Sequence, residues 1–125
     1  VLLPSGNVLC VPNASGYRLA QVSPAGVYSN TVSTVSGTGN YQNACLLGNG
    51  KVLFGPGTGT SIGVYDIYSD TIATVSIESG YGGIVALPDG RAVLSPRTSV
   101  YGVAIVSGLT QINEHLTTSS YFNKF

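Results

Sequence analysis

Residues able to carry acid–base chemistry are few in this sequence. His115 is the only histidine, and Glu78 and Glu114 are the only glutamates. Two carboxylates act as an acid and a base only if the fold brings them together, and these two fall in different repeats of the chain. The aspartates sit at predicted turns, where their oxygens bond local backbone: Asp66, Asp70 and Asp89. We therefore predict no catalytic residue and no enzyme, with a glycoside-cleaving enzyme as the weaker alternative.

Metal and cofactor sites are also not indicated. Cys10 and Cys45 both lie in apolar strand contexts, and neither has a cysteine or histidine at the spacing of metal ligands. We favour two buried free thiols over a disulfide and leave both open. The glycine-rich stretch 55–59 lacks the Lys-Ser/Thr pair and the following helix of a phosphate-binding loop. The sequence thus predicts no metal and no cofactor.

The charge balance limits the class of partner. Five basic and five acidic residues cancel, and only 8% of the residues are charged. A nucleic-acid or anionic-membrane surface needs a basic patch, so neither partner is predicted. No apolar run reaches the roughly 20 residues of a membrane helix. The near absence of net charge leaves association with another protein, or with a second copy, open.

A repeated unit organises the whole chain. The stretches 3–12, 47–56 and 87–96 share a leucine, a turn glycine, an apolar run and a proline, and their leucines are 44 (47 − 3) and 40 (87 − 47) residues apart. In the third copy, Asp89-Gly90 stands between two apolar runs, which predicts a two-residue type I′ hairpin turn. We expect positive φ at the turn glycines: Gly6, Gly50 and Gly90.

The segments between these turns read as short strands. Expected strands cover 7–11, 17–22 and 27–35, then 41–47, 51–54, 61–67 and 71–77, then 81–87, 91–94, 101–106 and 109–116. No segment keeps a helical period. Four strands in about 40 residues are typical of a β-propeller blade. The predicted fold is all-β: about three four-stranded antiparallel blades in a single segment over 1–125, with repeats at 1–40, 41–80 and 81–120.

One strand is divided between the two ends of the sequence. A tyrosine recurs every 40 residues (81 − 41 and 121 − 81) at Tyr41, Tyr81 and Tyr121. Each is expected to begin the first strand of a repeat, and the strand that begins at Tyr121 stops at 125. Val1 to Leu3 matches the end of such a strand. Three blades do not make an ordinary ring of four to eight. We therefore expect no stable lone monomer, and predict completion by a second copy or by an upstream or companion chain.

One set of loops offers the best candidate ligand surface. In a propeller, the loops between second and third strands and those between blades share a face, and here they are rich in Tyr, Asn, Ser, Thr and Gly. Such residues give apolar plates and adaptable hydrogen bonds to a sugar or a protein. The alternative is that the tyrosines serve blade packing. The candidate ligand-binding residues are Tyr17, Asn40, Tyr41, Tyr81, Arg97 and Tyr101.

The motifs resemble a known family. The segments 87–91 (Leu-Pro-Asp-Gly-Arg) and 62–66 (Ile-Gly-Val-Tyr-Asp), together with the ending 121–125, are similar to kelch-like propeller repeats of tailed-phage tail and fibre proteins. The sequence has no Trp, which kelch repeats usually contain, and only Gly82-Gly83 gives their double glycine.

The resemblance implies a non-enzymatic binding or structural domain of a virion. Such a domain would touch another virion protein or a host-surface glycan. The alternative is a free, lectin-like propeller, secreted or displayed at a cell surface.

Overall fold

A computed structural model describes residues 1–13, 18–34, 39–77, 81–97, 103–107 and 111–115. This part of the chain is all-β, as predicted, and no helix in it is long and apolar enough to cross a membrane. The strands are β1 (Val8–Cys10), β2 (Arg18–Val22), β3 (Tyr28–Thr34), β4 (Gly39–Leu46), β5 (Lys51–Gly59), β6 (Ser61–Asp66), β7 (Thr71–Ser76), β8 (Tyr81–Ala86), β9 (Ala92–Pro96), β10 (Ala104–Ser107) and β11 (Gln111–His115).

The strands form three antiparallel sheets, each a simple meander. The first sheet has the order β1-β2-β3, the middle sheet β4-β5-β6-β7, and the third sheet β8-β9-β10-β11. An isolated bridge between Leu2 and Val8 adds the start of the chain to the first sheet, at the place that β4 takes beside β5. Within the described residues no strand of the first sheet pairs with the third, so the sheets do not close a ring.

The repeated turn differs in type from the prediction. Leu87 N donates to Arg91 O at 2.7 Å, and Gly90 N donates to Leu87 O at 3.1 Å. Pro88 and Asp89 are therefore the central residues of a β-turn, and only Gly90 takes positive φ, at 87°. This is a three-residue loop with a glycine bulge, so the predicted two-residue type I′ turn is wrong. A proline fixes φ near −65°, which suits the first central position of such a turn.

The same turn occurs wherever the repeat predicted one. Gly6 and Gly50 also take positive φ, at 87° and 79°, which confirms the expectation for all three glycines. A fourth copy, at 23–27, has Gly26 at 79°. In the three repeat turns a side-chain oxygen accepts the backbone N–H two residues on: Ser5 from Asn7 at 3.3 Å, Asn49 from Lys51 at 3.1 Å, and Asp89 from Arg91 at 3.1 Å.

The inner strands of the middle sheet, β5 and β6, carry buried side chains on both faces. Strand side chains alternate between faces, so Val52 and Phe54 point one way while Leu53 points the other. Toward the first sheet lies one apolar cluster: Leu3, Leu9, Leu19, Tyr41, Val52, Phe54 and Tyr65. Toward the third sheet lies a second cluster, which includes Cys45, Leu53, Ile62 and Val64 with Ile84, Ala92, Leu94 and Val106. The core is therefore two layers between three stacked sheets.

The two cysteines have different environments. Both are free thiols, but Cys10 is exposed and only Cys45 is buried. The expectation of two buried thiols is thus wrong for Cys10, which alternates with the buried Leu9 on β1 and faces away from the middle sheet. Burial raises the pKa of the Cys45 thiol to about 11.

Several expectations lie outside the described residues. They include the divided strand at 121–125, the loops at 14–17 and 98–102, and Glu78. Glu114 and His115 belong to β11, and only their backbone is described.

Candidate functional site

Two of the predicted ligand residues lie inside the protein. Tyr41 and Tyr81 are both buried, Tyr41 in the cluster between the first and middle sheets and Tyr81 in the cluster between the middle and third. The Tyr41 ring meets Phe54 edge to face, with centroids 5.1 Å apart, and its hydroxyl lies 3.3 Å from Ser61 Oγ. The position these tyrosines share in the repeat therefore contributes to packing, which is the alternative that the sequence left open.

Arg97 is exposed, at the end of β9. Its aliphatic stem covers Gly82, where a Cβ would overlap it. The carbonyl of Gly82 accepts a hydrogen bond from Asn43 Nδ2 at 2.6 Å, which joins the middle and third sheets. Asn40 pairs with Thr58 through its backbone. Tyr17 and Tyr101 lie outside the described residues, so the predicted loop face as a whole stays a prediction.

A cleft of about 350 Å³ opens at the opposite edge of the sheets. Turns of a meander alternate between edges, and this edge carries the repeat turns. One wall is the turn at 3–7 of the first sheet, and the other is the turn between β6 and β7 of the middle sheet. The lining residues are Leu3, Pro4, Ser5, Asn7, Gln21, Ile67 and Tyr68.

Tyr68 gives the cleft an aromatic surface. Its side chain is 81% exposed, an unusual state for a large ring. The ring edge lies against Gly50, where any Cβ would overlap it, and Ile67 N donates to Gly50 O at 3.1 Å. The glycine that the turn requires for its positive φ therefore also makes room for the ring. The ring is held at the rim of the cleft without being buried.

The polar wall of the cleft begins a chain of hydrogen bonds into the core. Asn7 Nδ2 donates to Gln21 Oε1 at 3.1 Å, and Gln21 Nε2 donates to Tyr65 Oη at 3.1 Å. The Tyr65 hydroxyl in turn donates to Asp70 Oδ1 at 2.9 Å. This chain fixes the orientation of the Gln21 amide and ties the first sheet to the middle sheet. Burial and the bond to Asp70 raise the pKa of Tyr65 to about 12, so its hydroxyl stays protonated at neutral pH.

An ion pair supports the turn that carries Tyr68. Lys51 and Asp66 are cross-strand partners, and the Lys51 ammonium contacts Asp66 Oδ2. The other oxygen of Asp66 accepts the backbone N–H groups of Tyr68 at 2.9 Å and Ser69 at 3.2 Å. The hydrogen bond from Lys51 and then that from Tyr68 N lower the pKa of Asp66 to about 2. The carboxylate is therefore charged at neutral pH and holds the turn in place.

No protein-family model matches this chain, and no curated protein matches it either.

The cleft therefore has to be judged by its own chemistry. Its lining offers amides, a hydroxyl, an aromatic plate and small apolar surfaces, and it contains no Asp, Glu, Lys, Arg or His. Such a lining suits a neutral ligand rich in hydroxyl groups better than a phosphate or a carboxylate. Among the described residues no group of three or more His, Cys, Asp or Glu could hold a metal ion.

The sequence did not single out Asn7, Gln21 or Tyr68. Asn7 has a recognisable signal, since it holds the position that Lys51 and Arg91 hold in the other turns and is neutral there. Gln21 and Tyr68 carry no such mark, because the parts of the chain that line the cleft are distant from each other in the sequence: 3–7, 21 and 67–68.

Proposed function

We propose that this chain is part of a β-propeller, with each sheet serving as one blade. The support is the stacking of three meander sheets face to face, with the middle sheet covered on both sides. Successive blades of a propeller are arranged in this way around a channel. The repeat of 44 and 40 residues matches one sheet in each case.

We further propose that the domain binds ligands and performs no catalysis, and that its ligand is a saccharide held in the cleft. The observation that carries this proposal is the exposed Tyr68 ring at the rim of a neutral cleft whose Gln21 amide is already oriented. The ring offers a flat apolar surface to the C–H face of a sugar, while the Asn7 and Gln21 amides meet its hydroxyls. Because the hydrogen-bond chain already holds the Gln21 amide in place, binding would cost little side-chain entropy there.

A glycan array of neutral oligosaccharides, followed by titration of each hit, tests this function. Tyr68→Ala and Asn7→Ala should each weaken binding by roughly 5- to 30-fold, since each removes one recognition element worth about 1–2 kcal/mol. Gln42→Ala and Val27→Ala remove an exposed amide and an exposed apolar side chain that do not line the cleft, and both should bind as the unmodified chain does. Absence of binding at millimolar sugar, or equal losses in all four variants, would contradict the proposal.

The place of this domain is proposed from the family resemblance of the motifs at 62–66 and 87–91. We propose a virion tail or fibre, where a saccharide site would contact the host surface. Detection of the chain among the proteins of purified virions is the direct test. A free lectin would instead bind the same sugar and be absent from particles.

A further inference from the structure

Each sheet carries one row of apolar residues that docks on the sheet before it. In the middle sheet this docking row crosses all four strands at one level of the register: Leu46, Val52, Tyr65 and Ile72. All four pack into the cluster shared with the first sheet. The third sheet has the corresponding row Ala86, Ala92 and Val106, which packs into the cluster shared with the middle sheet.

Among the described residues, no sheet packs against the docking row of the first sheet. Its members are Leu2, Val8, Val22 and Tyr28, in register across the sheet. Leu2 is 66% exposed, Val8 43% and Tyr28 62%. Val8 occupies the position of Val52, which is fully buried in the middle sheet. The corresponding rows of the middle and third sheets are buried or half-buried, whereas in the first sheet only Val22 is half-buried and the other three side chains are exposed.

The opposite face shows the complementary situation. In the middle sheet a receiving row of Cys45, Leu53 and Val64 takes the docking row of the third sheet. The matching row of the third sheet is Val85, Val93 and Ile105. Val85 is 63% exposed, while Val93 and Ile105 are half-buried. The described sheets therefore present a docking row on one side and a receiving row on the other.

We propose that the receiving row of the third sheet binds the docking row of the first sheet of a second copy of this chain. The new contact continues the geometry already used twice within the chain. It is head-to-tail, so repetition closes a ring or extends a filament. Two copies with three described sheets each would supply six blades, which lies within the four-to-eight range of propellers, and this stoichiometry rests on the proposed propeller. The net charge of zero adds no repulsion between copies.

Native mass measurement of the 125-residue chain tests the pairing. The expected particle has twice the 12.8 kDa chain mass. Val8→Asp and Val85→Asp should each raise the dissociation constant roughly 100-fold or more, because each places an unpaired carboxylate in an apolar contact. Val27→Asp changes a valine that is 65% exposed and belongs to neither row, and it should leave the mass unchanged. Far-ultraviolet circular dichroism of each variant verifies that it is folded.

Mixing the two variants separates a head-to-tail contact from a symmetric one. Val8→Asp chains keep an intact receiving row, and Val85→Asp chains keep an intact docking row, so a mixture forms one undamaged contact and should recover mixed dimers. A folded particle of one chain, a dimer insensitive to Val85→Asp, or a chain without defined mass would overturn the proposal. The cleft is formed by residues of a single chain. The saccharide proposal and the pairing proposal can therefore fail independently.

Discussion

Phe54 lies directly over Gly63, its cross-strand partner on β6, so that a Cβ at Gly63 would overlap the phenyl ring. The same ring also meets Tyr41 edge to face. An aromatic ring that covers a strand glycine restores contact area that the glycine lacks. Position 63 therefore requires glycine, because the Phe54 ring fills the space that a side chain would occupy between the first and middle sheets.

Replacing Gly63 by alanine should destabilise the fold. Phe54 is fully buried and a Cβ at position 63 would overlap its ring, so we expect a loss of about 1–3 kcal/mol in the free energy of unfolding. Gly48→Ala is the matched control, because nothing lies within 4 Å of its Cβ position, and its effect should stay within about 0.5 kcal/mol. Chemical denaturation measures both. Equal effects of the two substitutions would contradict the packing role of Gly63.

The turn glycines allow a test of backbone strain without steric overlap. Gly90 has φ of 87°, and nothing lies within 4 Å of the position of its Cβ. Gly90→Val should therefore cost about 1–3 kcal/mol from the backbone conformation alone. Gly90→Asn should cost clearly less, because asparagine adopts the left-handed region more readily. Denaturation midpoints that coincide for the two variants would refute this explanation.

A proline at position 48 should stabilise the protein. The equivalent turn positions in the other three copies are Pro4, Pro24 and Pro88, and the hydrogen bonds of this turn use the N–H groups of Leu47 and Gly50. Gly48→Pro should raise the free energy of unfolding by about 0.4–1 kcal/mol, since it restricts the unfolded chain. Thermal unfolding followed by circular dichroism checks the sign. A decrease would show that this turn departs from the other three.

The repeat could be predicted from the sequence because it depends on local residues. Each repeat turn closes within five residues and requires a glycine: Gly6, Gly50 or Gly90. The spacing of these glycines therefore predicts the strands on either side of each turn and their grouping into three sheets. The predicted type I′ turn is wrong because that prediction used only the Asp89-Gly90 pair and not Pro88 before it. That proline takes part in the turn and moves its centre by one residue.

The cleft and the role of the tyrosines depend on contacts distant in the chain. Gln21 and Tyr65 are 44 residues apart, and their hydrogen bond exists only because the first sheet stacks on the middle one. Tyr41 and Tyr81 have the composition of a binding surface, but the faces of β4 and β8 on which they lie are covered by the neighbouring sheet. Sequence spacing gives the strand and its alternation, whereas the identity of the covering sheet decides exposure.

The pH dependence of stability should report the ion pair beneath Tyr68. Asp66 has its folded pKa lowered from an ordinary 3.8 to about 2, so its carboxylate binds protons more weakly in the folded chain. Its contribution to stability is therefore complete above about pH 4 and is lost as the pH falls toward 2. Asp66→Asn should be less stable at neutral pH and should show a shallower loss of stability over this range. Lys51→Gln should do the same, because the bond from Lys51 is the largest cause of the lowered pKa, and the double variant should add little more. Urea denaturation at steps between pH 6 and 2 measures all four chains, and an Asp66→Asn curve parallel to that of the unmodified chain would show that the pair does not stabilise the turn.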